Sequence, residues 1–287
     1  MTSSFRRPIA SLLFMPATSE KFIVKARALD IDAVVLDLED AIAPNEKDKA
    51  RQGLQQALAS FAGAKAQCFV RVNGPLTAWF HADLLAVRGL GIDGLVIPKV
   101  ESPRDLEIGL ALAGWSERRG GTIIAGIETL SGITELHSIL SGRNVDALYY
   151  GSEDLSADLG LAPSTAPNLA MMRAQVALLA RRFDALAIDQ GVADVRDHDN
   201  FRHDAQAGKA LGYTGKICLT PAQAEAAQAV FRPAAADLAW ARQVLDTFNQ
   251  ALASGQGVGL VGSMFVDEAA ARRARRILAS AGAVEEA

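Results

Sequence analysis

Along this 287-residue chain, short apolar or β-branched runs alternate eight times with longer segments of helical periodicity, and few folds accommodate that. The runs are Ser11–Ala17, Ala33–Asp40, Gln67–Asn73, Gly94–Val100, Thr122–Glu128, Ala147–Asp154, Ala185–Asp189 and Gly215–Thr220. A helical pattern follows each: from a Ser19 N-cap to about Leu29, Glu46–Ser60, Trp79–Val87, Pro103 to about Ala113, Thr134–Leu140, Asn168–Arg182, Asn200–Leu211 and Pro221–Val230. The runs are almost continuously apolar, as parallel strands covered by helices are. Eight such units suit a closed (β/α)8 TIM barrel, whose typical size is about 250 residues. The competing arrangement is an open doubly wound sheet. Polar residues end many of the strands instead of gathering at one switch point, which favours the barrel.

The expected organisation is therefore an α/β barrel over residues 1–231 and a C-terminal helical arm over 232–287 that acts as a lid or subunit contact. The arm reads as a helix near Ala234–Leu252, the Gly-rich connector GQGVGLVG, a short extended segment MFVD and a last helix to about Ala281. Composition narrows the partners. Lys and Arg total 29 against 33 Asp and Glu, so no positive field is available to gather nucleic acid. Cys68 and Cys218 sit inside apolar runs without CxxC spacing, which predicts buried strand thiols in a reducing compartment. Arg6 and Arg7 precede an apolar stretch as in a signal peptide, but Pro8 and Pro16 interrupt it and no A-x-A site follows, so a first strand is expected instead. No apolar run approaches the roughly 20 residues that cross a bilayer. A cytoplasmic protein with no membrane and no nucleic-acid partner is the resulting expectation.

A (β/α)8 barrel builds its site from the C-terminal ends of its strands. The polar residues there are Glu39 and Asp40, Arg71 and Asn73, Lys99, Glu128, Glu153 and Asp154, Asp189, and Lys216 with Thr220. So many carboxylates aimed at one mouth repel one another unless a cation offsets them, and that points to a metal. Glu128 and Asp154 would end neighbouring strands roughly 4.8 Å apart in the pairing direction. Two carboxylates without a nearby His or Cys favour a hard cation completed by water and substrate oxygens, so Mg²⁺ suits them better than Zn²⁺. The plainer alternative is that each acid caps the helix after it.

The segments LFMPA (13–17), VVLDLEDAIAP (34–44), VRVNG (70–74), DGLVIPKVES (93–102), GIETLSGI (126–133), YGSEDLSADLG (150–160) and GKICLTP (215–221) occur in this order over about residues 11–231. Together they resemble the citrate lyase beta-subunit-like family of CoA-ester lyases, within the HpcH/HpaI aldolase and citrate lyase superfamily. The resemblance implies a (β/α)8 barrel that uses Mg²⁺ to break a carbon–carbon bond in a 3-hydroxyacyl thioester of the citryl-, malyl- or citramalyl-CoA type. The products would be an acetyl-thioester and a 2-oxo acid such as oxaloacetate. It also implies Glu128 and Asp154 as metal ligands, Glu128 also on the substrate side, Arg71 as the arginine for the substrate carboxylate, and Glu39 and Asp40 beside the metal's waters. Lys99 could join them or serve as a buried salt-bridge partner. Asp267, in GSMFVDEAAARRARRIL, resembles the acidic residue that one subunit of this family lends to its neighbour; its other reading is the N-cap of the last helix. A homotrimer or a multiple of it follows from the same resemblance.

Departures from the family pattern are Ser263, where a Gly is common, and Leu219-Thr220-Pro221, where an Ile-His-Pro run is common and a proton-transfer role for that loop would need the His. The four histidines, His81, His137, His198 and His203, lack ligand spacing and are expected at the surface or in satisfied packing positions. Gly257-Val-Gly259-Leu-Val-Gly262 fits GxGxxG but has no βαβ unit around it. Arg272, Arg273, Arg275 and Arg276 read as a solvated helix face, with the phosphates of a CoA tail as the other reading. Three other functions remain open: a citrate lyase beta subunit acting on an acyl-carrier-protein thioester, a malyl-CoA-type thioesterase, and a non-catalytic thioester-binding barrel.

Overall fold

The structure is a computed structural model that describes residues 8–115, 121–142, 144–161 and 167–281. The Arg6-Arg7 stretch lies outside the described residues. Eight strands form: β1 (Ser11–Pro16), β2 (Ala33–Asp37), β3 (Gln67–Arg71), β4 (Gly94–Ile97), β5 (Thr122–Ile127), β6 (Ala147–Tyr150), β7 (Leu186–Asp189) and β8 (Gly215–Cys218). Each pairs in parallel with the next, and β8 pairs with β1 to close a (β/α)8 barrel. Helices α1 (Glu20–Arg27), α2 (Lys47–Ala59), α3 (Phe80–Val87), α4 (Pro103–Ala113), α5 (Leu130–Thr134), α6 (Leu136–Ser141), α7 (Ser152–Leu159), α8 (Pro167–Arg182) and α9 (His198–Leu211) connect the strands, and α10 (Pro221–Phe231) follows β8.

Two expectations are corrected. The sixth run ends at Tyr150, and Asp154 stands in the first turn of α7, a helix that the apolar reading had merged into the strand. Gly151 breaks the run, and Glu153 and Asp154 suit the positive end of the helix dipole. The segment expected as one helix over Thr134–Leu140 is two short ones, with Thr129 Oγ1 accepting the Gly132 N–H at 3.0 Å to cap the first. Ser19 does occupy the N-cap of α1, but its side chain makes no capping bond.

The barrel interior follows from period-two alternation. Leu12, Ala33, Val35, Phe69, Val96, Ile124, Ala147, Tyr149 and Ile188 form one buried cluster, with Phe14 and Ile217 packed against it. Residues an even number of positions from these, on the same strand, point inward. Asp37, Arg71 and Gly126 meet that condition at the C-terminal end, where the strands finish. Cys68 and Cys218 are buried free thiols, and burial pushes each up to about 12.

Packing divides the chain into two units, Ile9–Val230 and a second from Phe231 onward. In the second unit, helices α11 (Ala235–Ala253) and α12 (Glu268–Ser280) share an apolar core that includes Val244, Phe248 and Leu278. Between them the Gly-rich connector enters an antiparallel hairpin, β9 (Gly259–Val261) and β10 (Met264–Val266). The GxGxxG stretch thus opens a hairpin and not the strand-to-helix turn that a dinucleotide fingerprint needs. No described helix is long and apolar enough to cross a membrane.

Candidate active site

Asp37 and Arg71 are register partners on β2 and β3, both at the mouth end and both on the inward parity. The Arg71 guanidinium donates Nε–H to Asp37 Oδ1 at 2.7 Å and Nη2–H to Asp37 Oδ2 at 2.6 Å, a bidentate pair. Its carbon lies 4.9 Å from the centre of the Phe14 ring. Burial alone would lower the Arg71 pKa, but Asp37 outweighs it and holds the guanidinium charged. The guanidinium also forms ion pairs with two further acids: Nη1 lies 2.9 Å from Glu39 Oε2 and Nη2 lies 3.5 Å from Asp40 Oδ2. Asp37, the principal partner, was not among the expected site residues. Its signal was present, because Asp37 lies two residues beyond the inward Val35. The same carboxylate accepts the Glu39 N–H at 2.9 Å and the Ala41 N–H at 3.1 Å, and so shapes the loop that carries Glu39 and Asp40.

Lys99 ties the acids together. Its backbone N–H donates to Glu128 Oε1 at 2.9 Å, its ammonium donates to Glu39 Oε1 at 2.8 Å, and the same ammonium is 3.2 Å from Asp154 Oδ1. The residue adopts φ +50°, a left-handed conformation that costs on the order of 1–3 kcal/mol for a residue with a Cβ. The surrounding bonds sustain that strain. Glu128 is enclosed, and burial first, then Asp154, raises its pKa; Lys99, Arg71 and the Tyr149 hydroxyl oppose the rise. Tyr149 Oη donates to Glu128 Oε1 at 2.7 Å, and burial keeps that phenol protonated. Glu39 is pushed up to about 7, by burial above all and by Glu128 and Asp40 in addition, against the pull of Arg71 and Lys99. Glu39 Oε2 accepts no hydrogen bond, although Arg71 Nη1 lies 2.9 Å away. Asp40 is exposed and Asp154 partly so.

The structure thus brings Glu39, Asp40, Arg71, Lys99, Glu128 and Asp154 into one linked set, and it sends the remaining candidates elsewhere. Asp189 and Lys216 lie one position from the inward Ile188 and Ile217, so they point out of the barrel and join Arg173 and Asp204 in a buried ion network beneath the helices. Asn73 is buried below the mouth, where it bonds Lys47 and Asp83. Thr220 Oγ1 accepts the Gln223 N–H in the first turn of α10, and Glu153 is exposed. All four histidines are exposed. Asp267 belongs to the second unit, where Oδ1 accepts the Ala270 N–H at 2.9 Å as the N-cap of α12.

Glu128 and Asp154 suit a hard cation in chemistry. Both are oxygen donors, Asp154 raises the cost of charging Glu128, and the ammonium already between Asp154 and Glu39 shows that positive charge is favoured there. Among the described residues no three His, Cys, Asp or Glu side chains converge as a ready cage. That agrees with a site that supplies two carboxylates and leaves other positions to water and substrate.

Residues 10–221 match the family described as HpcH/HpaI aldolase/citrate lyase. Over 280 residues the chain is 35% identical to the (3S)-malyl-CoA thioesterase of Cereibacter sphaeroides (strain KD131), with 96% of each chain covered. It is also 35% identical, over 278 residues, to the citrate lyase subunit beta-like protein of Deinococcus radiodurans, covering 94% of this chain and 96% of the other. Among solved structures, CitE of Mycobacterium tuberculosis in complex with magnesium, acetoacetate and coenzyme A superposes with a TM-score of 0.75 at 28% identity, covering 96% of this chain and 98% of that one. By both measures, this barrel enzyme is a member of the HpcH/HpaI aldolase/citrate lyase family.

Proposed function

We propose that this chain is a Mg²⁺-dependent carbon–carbon lyase that cleaves a 3-hydroxyacyl thioester, of the citryl-, malyl- or citramalyl-CoA type, into an acetyl-thioester and a 2-oxo acid. The observation that carries the reading is the pairing of two carboxylates, Glu128 and Asp154, with a buried guanidinium, Arg71, at one barrel mouth. Glu128 and Asp154 would hold the metal, which when bound lowers the pKa of the substrate hydroxyl and sets positive charge where the alkoxide develops. Asp37 takes the Nε/Nη2 edge of Arg71. The Nη1/Nη2 edge, which faces Glu39 and Asp40 as ion-pair partners, would receive the carboxylate of the 2-oxo acid half as those acids give way, a fork that Lys cannot reproduce. Glu39 and Asp40 would orient water beside the metal. Cleavage leaves a thioester enolate whose carbon must take a proton, and Asp267 from a neighbouring copy is the candidate donor. Assembly as a homotrimer or a multiple of it belongs to the same reading, as does a cytoplasmic setting, which two free buried thiols support.

A second reading has its own support, since a relative 35% identical along nearly the whole chain is named a malyl-CoA thioesterase. Both outcomes start from the same bound thioester, so products separate them. The test is a panel of citryl-, malyl- and citramalyl-CoA with Mg²⁺ or EDTA, following 2-oxo acid and free CoA. Release of 2-oxo acid that EDTA abolishes supports the lyase. Free CoA without 2-oxo acid installs the thioesterase. Turnover of citryl-acyl-carrier protein in preference to every CoA ester makes the chain a citrate lyase beta subunit, and binding without turnover of any ester makes it a non-catalytic barrel.

A further inference from the structure

Glu128 is 2% exposed, and its two oxygens are not equivalent. Oε1 accepts two hydrogen bonds, from the Lys99 N–H at 2.9 Å and from the Tyr149 hydroxyl at 2.7 Å. Among the described residues no hydrogen bond reaches Oε2, and the buried side-chain oxygens that lack a partner are Glu39 Oε2 and Gln228 Oε1. Glu128 Oε2 is therefore the oxygen that opens to the mouth. Two glycines maintain this asymmetry. A Cβ on Gly126 would lie 2.4 Å from Tyr149 Oη, so only glycine lets the hydroxyl reach Oε1. A Cβ on Gly151 would lie 2.5 Å from Glu128 Oε2 and would obstruct the free oxygen. Tyr149 itself is fixed: it is 1% exposed, belongs to the barrel's interior cluster and packs edge-on against Phe14 with ring centres 6.2 Å apart.

We propose that Tyr149 is a positioning residue that sets metal selectivity, because its hydroxyl and the Lys99 amide occupy Glu128 Oε1 and leave the carboxylate only Oε2 to offer a cation. The inference rests on the metal reading of Glu128 and Asp154 and adds which oxygen binds and what enforces it. Mg²⁺ demands near-octahedral geometry and is satisfied by single carboxylate oxygens plus water, whereas the larger Ca²⁺ accepts both oxygens of one carboxylate. A Glu128 restricted to one oxygen thus disfavours Ca²⁺. Removing the phenolic oxygen frees Oε1 from one of its two donors, and it relaxes the restriction without emptying the ring's place in the core.

The test is calorimetric titration of the full chain with MgCl₂ and with CaCl₂, without substrate, for the wild type, Tyr149→Phe and Glu128→Gln. Wild type is expected to bind Mg²⁺ more tightly than Ca²⁺. Tyr149→Phe is expected to weaken Mg²⁺ about tenfold, the lower range for losing a partner of a metal ligand, and to weaken Ca²⁺ less or strengthen it. Equal losses for both ions, or no change in either, would overturn the proposal, since a merely structural tyrosine moves the two together. A wild type that prefers Ca²⁺ overturns it without recourse to any variant. Unchanged Mg²⁺ binding in Glu128→Gln would sink the metal reading itself, while lost binding there alongside an unmoved Mg²⁺/Ca²⁺ ratio in Tyr149→Phe sinks only the role of Tyr149.

Discussion

Arg71 has two guanidinium edges: Asp37 takes one through two hydrogen bonds, and the other, which meets Glu39 and Asp40 in ion pairs, is the edge proposed for the substrate. Replacing it with Lys keeps the charge and loses the fork. Arg71→Lys is expected to lower kcat/KM for the preferred thioester roughly a hundredfold, about 3 kcal/mol of charged hydrogen bonding; a loss under threefold in steady-state kinetics would remove Arg71 from the substrate. Glu39 gives a pH prediction for the metal-free chain. Its pKa stands at about 7 against an ordinary 4.5, because burial outweighs Arg71. A carboxyl with a raised folded pKa favours folding when protonated, so its contribution is complete below pH 4.5 and is lost as pH rises through about 7. In EDTA, stability should fall by up to about 3 kcal/mol across that window. Urea denaturation at several pH values should show the decline in wild type and a flatter profile in Glu39→Gln; equal slopes would refute the assignment.

At the scale of elements, a buried polar network ties together the loops after β2 and β3. Lys47 donates to Leu38 O, Glu39 O and Asn73 Oδ1, each at 2.7 Å, and Asp83 on α3 binds Arg51 at 2.7 Å and the Asn73 N–H at 2.8 Å. Removing Asp83, which is fully buried, would strand those cations and donors. Asp83→Ala is expected to destabilise the chain by about 3–5 kcal/mol, the range for breaking a buried pair from one side, and a thermal or urea midpoint near wild type would contradict that. This network also marks the limit of what the sequence discloses. All eight strands were legible because each is a buried apolar run between helical stretches. Alternation could also have sorted Asp37 inward and Asp189 and Lys216 outward, since Val35, Ile188 and Ile217 set the parity of their strands. Past the last paired residue parity lapses, so the burial of Asn73 against Lys47 and Asp83 and the placement of Lys99 at φ +50° depend on contacts from distant segments. Asp154 was identified as a site candidate but misplaced by element, because SEDL after an apolar run gives no periodicity with which to separate a strand end from a helix start.

For the whole molecule, the division into two units separates the proposed tasks. The carboxylates, Arg71 and Lys99 all belong to the barrel unit, whereas Asp267 belongs to the unit that begins at Phe231. The residues proposed for the cation and the 2-oxo acid half all lie in the barrel unit, and all four described histidines are exposed. Where the resemblance leads one to expect a His in the loop after β8, this chain has Leu219-Thr220, and the proposed reading therefore takes the proton from an acid elsewhere. Asp267 has one demonstrable function, capping α12, and one proposed, so the informative substitution must keep the first and remove the second. Asn does this: it caps a helix about as well as Asp but cannot supply a proton from a carboxyl. Asp267→Asn should leave the unfolding free energy within about 0.5 kcal/mol and Mg²⁺ affinity unchanged, while kcat falls about 10²–10⁴-fold, the usual worth of a positioned acid or base. Asp267→Ala should add to that loss a stability cost of about 1 kcal/mol from the missing cap. If Asp267→Asn turns over at the wild-type rate while Asp267→Ala shows only the stability cost, the residue is a cap and nothing more, and the proton donor must be sought among the barrel's own acids.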